Sequence, residues 1–355
     1  MKKGNKKKVL LGMSGGVDSS VAAYLLQKQG YEVIGVTLKL HEDSQNEDGC
    51  CSINAVEDAR RVANKLGIAY YVLNMKELFR KYVIDYFINE YESGRTPNPC
   101  IACNKYIKFG ALLDKANSLN IEYIATGHYA KIEKNDSRYF LRKAVDKTKD
   151  QSYVLYNLTQ EQLSRTLFPL GGFTKKEIRN IAKDNGFQVA SKPDSQEICF
   201  VEDNNYKGFI RDNSKKVPIP GEFITDDGTV IGYHKGITNY TIGQRRGLGI
   251  VTGTPMFVVD INEESNQILL GTENDLLSKE LVVTNLNWIF MENLNNELEA
   301  NVKIRYRAKE SKAKLIPIDN KSVKVVFEIP QRAITKGQAA VFYKNAFVVG
   351  GGVIC

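Results

Sequence analysis

No stretch of this 355-residue chain is apolar for long enough to cross a bilayer. Its lysine-rich start (Lys2, Lys3, Lys6, Lys7 and Lys8) runs straight into a strand-like segment, without the apolar core or cleavage site of a signal peptide. Membrane-spanning and secreted roles are set aside, and a cytoplasmic protein is expected. Histidine is scarce, with 3 residues, and Cys100 and Cys103 form the single Cys-x-x-Cys pair, so a four-ligand zinc site lacks its other half. There is no internal repeat and no low-complexity tract beyond the terminal lysines. The two commonest phosphate signatures are missing too: no glycine loop ends in Gly-Lys-Ser/Thr, and Gly-x-Gly-x-x-Gly is not found between a strand and a helix. The 6 cysteines (Cys50, Cys51, Cys100, Cys103, Cys199 and Cys355) come without secretory context, which argues for reduced thiols over structural staples.

What is present is ordinary for a globular protein: 43% hydrophobic and 25% charged residues, a length that suits two or three domains, and a net charge of +8 that hints at a polyanionic partner. The sharpest local signal is Ser14-Gly15-Gly16-Val17-Asp18-Ser19, between the apolar run 9–13 and a helix-like segment closed by Gly30. Adjacent glycines allow a tight turn whose N–H groups converge on one point, and the following helix aims its positive end there. A small anion fits such a nest, pyrophosphate being the natural one. A Gly-Gly turn can also be purely structural, but such a turn has no need of the hydroxyls and carboxylate that flank these glycines.

The first two hundred residues alternate strands (9–11, 33–38, 70–73 and 123–126) with helices (55–66, 77–91 and 106–118), which predicts a doubly wound parallel sheet of the α/β class. Ligands in such sheets bind beyond the carboxyl ends of the strands, so the loop 14–19, Leu38 and Gly127-His128 are expected to share a crevice. A hairpin follows over 130–144. Near residue 205 the pattern changes to short strands and glycine turns, with Asp227-Gly228 marking a hairpin, and from about 281 the strands 298–307, 312–318, 322–329 and 338–343 suggest a small antiparallel barrel. The expected division is a nucleotide-binding catalytic domain (1–204), a small mostly-β central domain (205–278) and a C-terminal antiparallel β-barrel (279–355). In the first barrel strand Lys303, Arg305, Arg307 and Lys309 alternate with Ile304, Tyr306 and Ala308, which puts four like charges on one face and favours a bound polyanion over a merely solvated surface.

Cys100 and Cys103 follow Thr96-Pro97-Asn98-Pro99, whose prolines should hold the approach stiff. Half a zinc site, buried packing and reactive thiols compete as readings. Lys105 and an expected helix start just beyond favour the reactive one for Cys103. Cys199 lies in the polar stretch Ser191-Lys192-Pro193-Asp194-Ser195-Gln196-Glu197-Ile198-Cys199-Phe200, away from obvious core burial. Cys50, Cys51 and Cys355 are given ordinary structural roles.

Together these segments carry a specific likeness. SGGVDSS, TPNPCIACNKYIKFG, ATGHYA, KDQSYVLY, SKPDSQEICF, YTIGQRRGLGI, KIRYRA and GQAAVFY, in this order, resemble the bacterial tRNA-specific 2-thiouridylases of the ATP-pyrophosphatase superfamily from end to end. The resemblance implies ATP-dependent adenylation of the C2 oxygen of the wobble uridine in tRNAs for Lys, Glu and Gln, and then replacement of that oxygen by sulfur. It implies an ATP site at Gly12, Met13, Ser14, Gly15, Gly16, Val17, Asp18, Ser19, Leu38 and Gly127. It makes Cys103 the nucleophile and Cys199 the persulfide carrier, with a Cys103–Cys199 disulfide as one possible intermediate and direct attack by the persulfide sulfur as the other. Asn98, Pro99, Cys100, His128, Lys149, Asp150, Gln151, Arg305, Tyr306 and Gln338 fall at tRNA-contacting positions. Mg²⁺ with ATP, tRNA and a sulfur donor from a cysteine desulfurase or relay protein are the implied partners. Many family members carry an acid where this chain has Cys100, and a thiol does not replace a carboxylate at neutral pH. Cys100, Cys103 and Cys199 would therefore also allow an iron–sulfur cluster, and a small-molecule ligase of the same superfamily or a noncatalytic tRNA-binding protein are further rivals.

Overall fold

The computed structural model describes residues 6–41, 53–194, 198–251 and 253–355. Cys50 and Cys51 lie outside the described residues. By their contacts the residues group into two compact units. Met1–Val83, Cys100–Phe200 and Ala346–Val348 form one; Ile84–Pro99, Val201–Asn345 and Val349–Cys355 form the other.

The first unit starts with β1 (Lys8–Gly12), α1 (Val17–Lys28), β2 (Glu32–Lys39), α2 (Ile53–Leu66) and β3 (Ala69–Asn74). Val9, Leu10 and Leu11 of β1 are all buried, as expected of a strand covered on both faces. A helical stretch then runs through α3 (Lys76–Phe79), a π-helical segment Arg80–Ile84, and α4 (Asp85–Glu92), the last of which lies in the second unit. A second one runs through α5 (Pro99–Ala102), a π-helical segment Cys103–Ala111, and α6 (Leu112–Ser118). Next come β4 (Tyr123–Ala125), the hairpin β5 (Ala130–Asn135) and β6 (Arg138–Lys143), α7 (Gln160–Ser164), β7 (Thr166–Leu167) and α8 (Lys175–Asp184). The parallel sheet has the order β3-β2-β1-β4-β7. Because β1 sits between β2 and β4, the chain reverses its direction of winding at the end of β1, where a crevice opens in folds of this kind.

Two sequence expectations need adjusting here. Both predicted helices 77–91 and 106–118 contain π-helical turns, which side-chain periodicity does not distinguish from α-helix over so few residues. The second begins at Pro99 rather than 106, with proline at the first helical position, where its missing N–H costs nothing. Cys103 is therefore the fifth residue of a continuous helix, not a residue preceding a helix start, and the helix-terminus argument for its reactivity does not apply to it.

In the second unit α9 (Tyr206–Asn213) packs on α4 through stacked Tyr91 and Tyr206 rings, 4.9 Å apart. The strands β8 (Gly221–Ile224), β9 (Val230–His234), β10 (Phe257–Asn262) and β11 (Gln267–Gly271) form a sheet of order β10-β11-β8-β9 over Phe223, Val258 and Ile268. Gly228 takes φ +82° in the turn expected at Asp227-Gly228. Six further strands follow: β12 (Leu277–Trp288), β13 (Leu298–Lys303), β14 (Ser311–Pro317), β15 (Val323–Arg332), β16 (Ala339–Lys344) and β17 (Phe347–Ile354). They run β12-β15-β14-β13-β16-β17, and an antiparallel β12–β17 pairing closes the barrel around Leu315, Val325 and Phe342.

The cationic strand face does not form. β13 ends at Lys303, and the chain leaves the sheet in a turn in which the Ala308 N–H donates to the Arg305 carbonyl at 3.0 Å. The guanidinium of Arg305 donates to the Arg332 carbonyl at 2.9 Å, and the Lys303 ammonium lies 5.5 Å from the centre of the Tyr306 ring. On a strand the four charges would have stood about 7 Å apart on one side; the turn disperses them.

Closure of the barrel depends on close backbone approach. A Cβ on Gly352 would sit 2.3 Å from the Thr284 carbonyl oxygen, and one on Gly350 2.5 Å from that of Asn287. Gly352→Ala should therefore lower stability by about 1–3 kcal/mol, the cost of overpacking a tight site. Urea denaturation against wild type measures it, and an unchanged midpoint would mean that the β12–β17 seam is looser than this geometry.

Candidate active site

The turn after β1 has the form expected of an anion nest. Gly15 takes φ +71°, and a Cβ there would fall 2.2 Å from the Ala55 carbonyl oxygen, so only glycine fits. Gly16 caps α1 in an extended conformation. Ser14 N–H donates to Ser19 Oγ (3.1 Å), and the Ser19 and Ser20 hydroxyls donate to the Gly16 carbonyl (3.2 and 2.9 Å), which pins the turn to the first turn of the helix. The N–H groups of Gly15, Gly16 and Val17 have no protein partner among the described residues. Met13 is buried, and its carbonyl accepts from Thr37 Oγ1 at 2.7 Å, which fixes the level at which the loop leaves the sheet. Leu38 lies in β2 itself, one residue before its end. Gly127 closes on the same helix start: a Cβ there would be 2.9 Å from Ser19 N.

Behind the nest lies a charge network that sequence reasoning did not assemble. Lys175, buried at the start of α8, donates to both carboxylate oxygens of Asp18 (2.8 and 2.8 Å) and lies 2.7 Å from Asp194. Asp194 also pairs with Lys149 (2.7 Å) and Arg179 (3.1 Å). Tyr129 donates its hydroxyl to Asp18 at 2.7 Å; burial, and then the Asp18 charge, hold that phenol protonated well above the ordinary tyrosine range. Burial alone would raise the Asp194 carboxyl, but hydrogen bonds from Lys149 and Lys175 outweigh it and hold the group below the usual carboxylate range. One signal was available for Lys175, the Thr174…Glu177 capping box that starts its helix. Asp194 stood inside a recognised motif without a role, and Tyr129 followed His128 unremarked.

The expected tRNA-contacting side chains are largely engaged within the protein. Beyond Lys149 with Asp194, Asp150 accepts from Ala144 N–H (2.9 Å) and Ser152 Oγ (2.7 Å), and Gln151 accepts from Tyr129 N–H at 2.8 Å. His128 is buried between Phe109 and Phe168, with Nδ1 2.7 Å from Thr126 Oγ1. Burial, reinforced by Lys108, keeps it well below the ordinary imidazole range. In the second unit Gln338 donates to the carbonyls of Thr96 (2.9 Å) and Pro97 (3.3 Å), and Thr96 N–H donates to the Lys336 carbonyl at 2.8 Å, so the approach to Asn98 and Pro99 is held in place. Tyr306 is exposed and Arg305 partly so.

Cys103 is buried, whereas Cys100, in the first turn of α5, and Cys199 are exposed; all three are free thiols. Next to Cys103, Asn104 is buried and donates to the Val154 carbonyl at 3.0 Å, leaving its Oδ1 without a hydrogen-bond partner. Among the described residues no three His, Cys, Asp or Glu side chains are grouped closely enough to hold a metal ion.

A parallel sheet with an open glycine nest at its switch point, backed by a lysine–carboxylate network and accompanied by free thiols, defines a nucleotide-binding α/β protein of the HUP class equipped for sulfur chemistry. Residues 7–203 match the family described as the tRNA methyl transferase HUP domain, 207–272 the tRNA methyl transferase PRC-barrel domain, and 278–354 the aminomethyltransferase beta-barrel domain. The chain is 57% identical to the tRNA-specific 2-thiouridylase MnmA of Clostridioides difficile, over 98% of each chain. It is 56% identical to the protein of the same name from Acetivibrio thermocellus, over 99% of each. It belongs to the tRNA-specific 2-thiouridylase family.

Two outcomes follow from the site. Lys175→Met should cost about 3 kcal/mol, the low end for removing one partner of a buried ion pair, because Asp18 keeps about a third of its surface in water; thermal or urea unfolding reads it. The unfolded state protonates His128 near 6.5 while the folded state resists. The stability this contributes is complete above that pH and is lost as pH falls toward the depressed folded value. Urea midpoints at several pH values should decline on the acid side, and His128→Gln should flatten that decline.

Proposed function

We propose that this chain uses ATP to activate the C2 oxygen of a wobble uridine in tRNA and replaces it with sulfur. The observation that carries the reading is the likeness to named 2-thiouridylases, which runs over 98% of the chain and so through the glycine nest and both thiol segments. The nest supports binding of the β- and γ-phosphates at the α1 N-terminus, with Gly12 to Ser19, Leu38 and Gly127 as its surroundings. Mg²⁺ arriving with the triphosphate would neutralise charge as pyrophosphate leaves. Both oxygens of Asp18 are taken up by Lys175 and Tyr129, which favours a structural task for that residue over a metal-ligating one.

In the reaction the uridine O2 attacks the α-phosphorus, pyrophosphate departs, and O2 becomes an adenylate that can leave as AMP. The exposure of Cys199 supports its taking a persulfide sulfur from a donor protein such as a cysteine desulfurase or its relay. Cys103 attacks the inner sulfur of that persulfide, releasing sulfide to displace AMP from C2 and leaving a Cys103–Cys199 disulfide that a thiol reductant reopens. In the alternative order the persulfide's terminal sulfur attacks C2 and displaces AMP, and Cys103 then attacks the Cys199 sulfur, which breaks the S–S bond, leaves the terminal sulfur on C2 and forms the same disulfide. The tRNAs for Lys, Glu and Gln are the expected substrates, the division 1–204, 205–278 and 279–355 separates catalytic, central and barrel parts, and Asn98, Pro99, Cys100, His128, Lys149, Asp150, Gln151, Arg305, Tyr306 and Gln338 are assigned to tRNA. Methyl transfer, the wording of two domain descriptions, leaves both thiols without a task.

Cys103→Ser and Cys199→Ser should each reduce thiolation to background while leaving ATP affinity unchanged. Mass analysis of nucleosides from unmodified tRNA incubated with ATP and a sulfide or persulfide source measures this. Near-normal 2-thiouridine in either variant would overturn the assignment.

A further inference from the structure

On the exterior of the first unit, Tyr82 and Tyr106 stack with centroids 4.8 Å apart and planes 17° from parallel. Each follows a lysine in sequence, and each lysine covers its neighbour's ring: Lys81 Nζ lies 5.0 Å from the Tyr82 centroid and Lys105 Nζ 5.2 Å from that of Tyr106. Tyr106 keeps 40% of its surface in solvent. Among the described residues neither lysine is paired with a carboxylate. Both tyrosines stand on the π-helical segments, Arg80–Ile84 and Cys103–Ala111, a local geometry that is rare and tends to recur at functional sites. Tyr106 follows Cys103 by three residues on the same segment, yet Cys103 is buried.

We propose that this stacked pair with its two lysines is a platform for a tRNA nucleotide flanking the target uridine, an inference that rests on the thiolation reading above. A base that leaves the anticodon stack to reach a buried thiol strips its neighbours of one stacking face. An aromatic pair with its outer ring exposed replaces that face without regard to base identity, and an ammonium over the ring moves onto the adjoining phosphate when the base arrives. Neighbouring nucleotides, unlike the target base, stay outside, where Tyr106 is. A packing role alone would explain the stack, but not the exposed ring and the unpaired cations over both members.

The test uses the full chain and an unmodified anticodon stem-loop RNA with 2-aminopurine in place of the nucleotide beside the target uridine. Wild type should quench the probe by stacking. Tyr106→Ala and Tyr106→Leu should weaken binding by roughly 5- to 150-fold and abolish quenching, whereas Tyr106→Phe should behave as wild type. Leu fills the same space without a π-face, so failure of both Ala and Leu with rescue by Phe separates stacking from packing, and unchanged ATP affinity confirms the fold. If wild type thiolates the RNA while the Ala and Leu variants match it in affinity and quenching, the platform is overturned and the activity stands. If wild type neither binds nor thiolates the RNA, the functional reading falls and the platform with it.

Discussion

An anion nest at a helix start carries a contradiction that this protein must resolve. The first turn of α1 contains Asp18, whose charge suits the helix dipole but would repel any anion held by the nest. Lys175 reconciles the two by clasping both oxygens of Asp18 while sharing Asp194 with Lys149 and Arg179. Asp146 also accepts from the Lys175 N–H at 2.9 Å, so the cluster sets three cations (Lys149, Lys175 and Arg179) against three carboxylates (Asp18, Asp146 and Asp194). Tyr129, kept protonated by burial, donates to Asp18 and completes its hydrogen bonding.

The same network explains why distant segments must fold together. Asp194 precedes Cys199 by five residues, and Lys149 opens the Lys149-Asp150-Gln151 run, whose last member holds the backbone of Tyr129. A segment that the family resemblance assigns to RNA thus also braces the glycine nest through its side chains. Disturbing Asp194 would reach the nest through Lys175, which it shares with Asp18.

Much of the fold was legible. The strands at 9–11, 33–38, 70–73 and 123–126 appear within a residue or two, because continuous apolar runs bounded by glycine and polar turns leave few alternatives. β7, two residues long, gives no periodic signal and was missed. The π-helical segments were missed because their pattern over five to nine residues matches that of an α-helix. The cationic face failed for a different reason: alternation says which residues would share a side if the strand continued, and nothing local says where it stops. A turn bonded through Arg305, and an acceptor on Arg332 27 positions away, decide that end.

By itself the sequence determined the strand–helix alternation of the first part of the chain, the conformation of the Gly15-Gly16 turn and the positions of the thiols along the chain, since these rest on local sterics, periodicity and composition. Only the tertiary structure decided that Lys175 and Asp194 sit behind the nest, that His128 is buried and neutral, that Cys103 is inside and Cys199 outside, and that Tyr82 meets Tyr106. Each of these is a meeting of side chains far apart in the chain. Charge pairing and ring stacking fall off within a few ångströms, so their partners are set by where the backbone has already been carried.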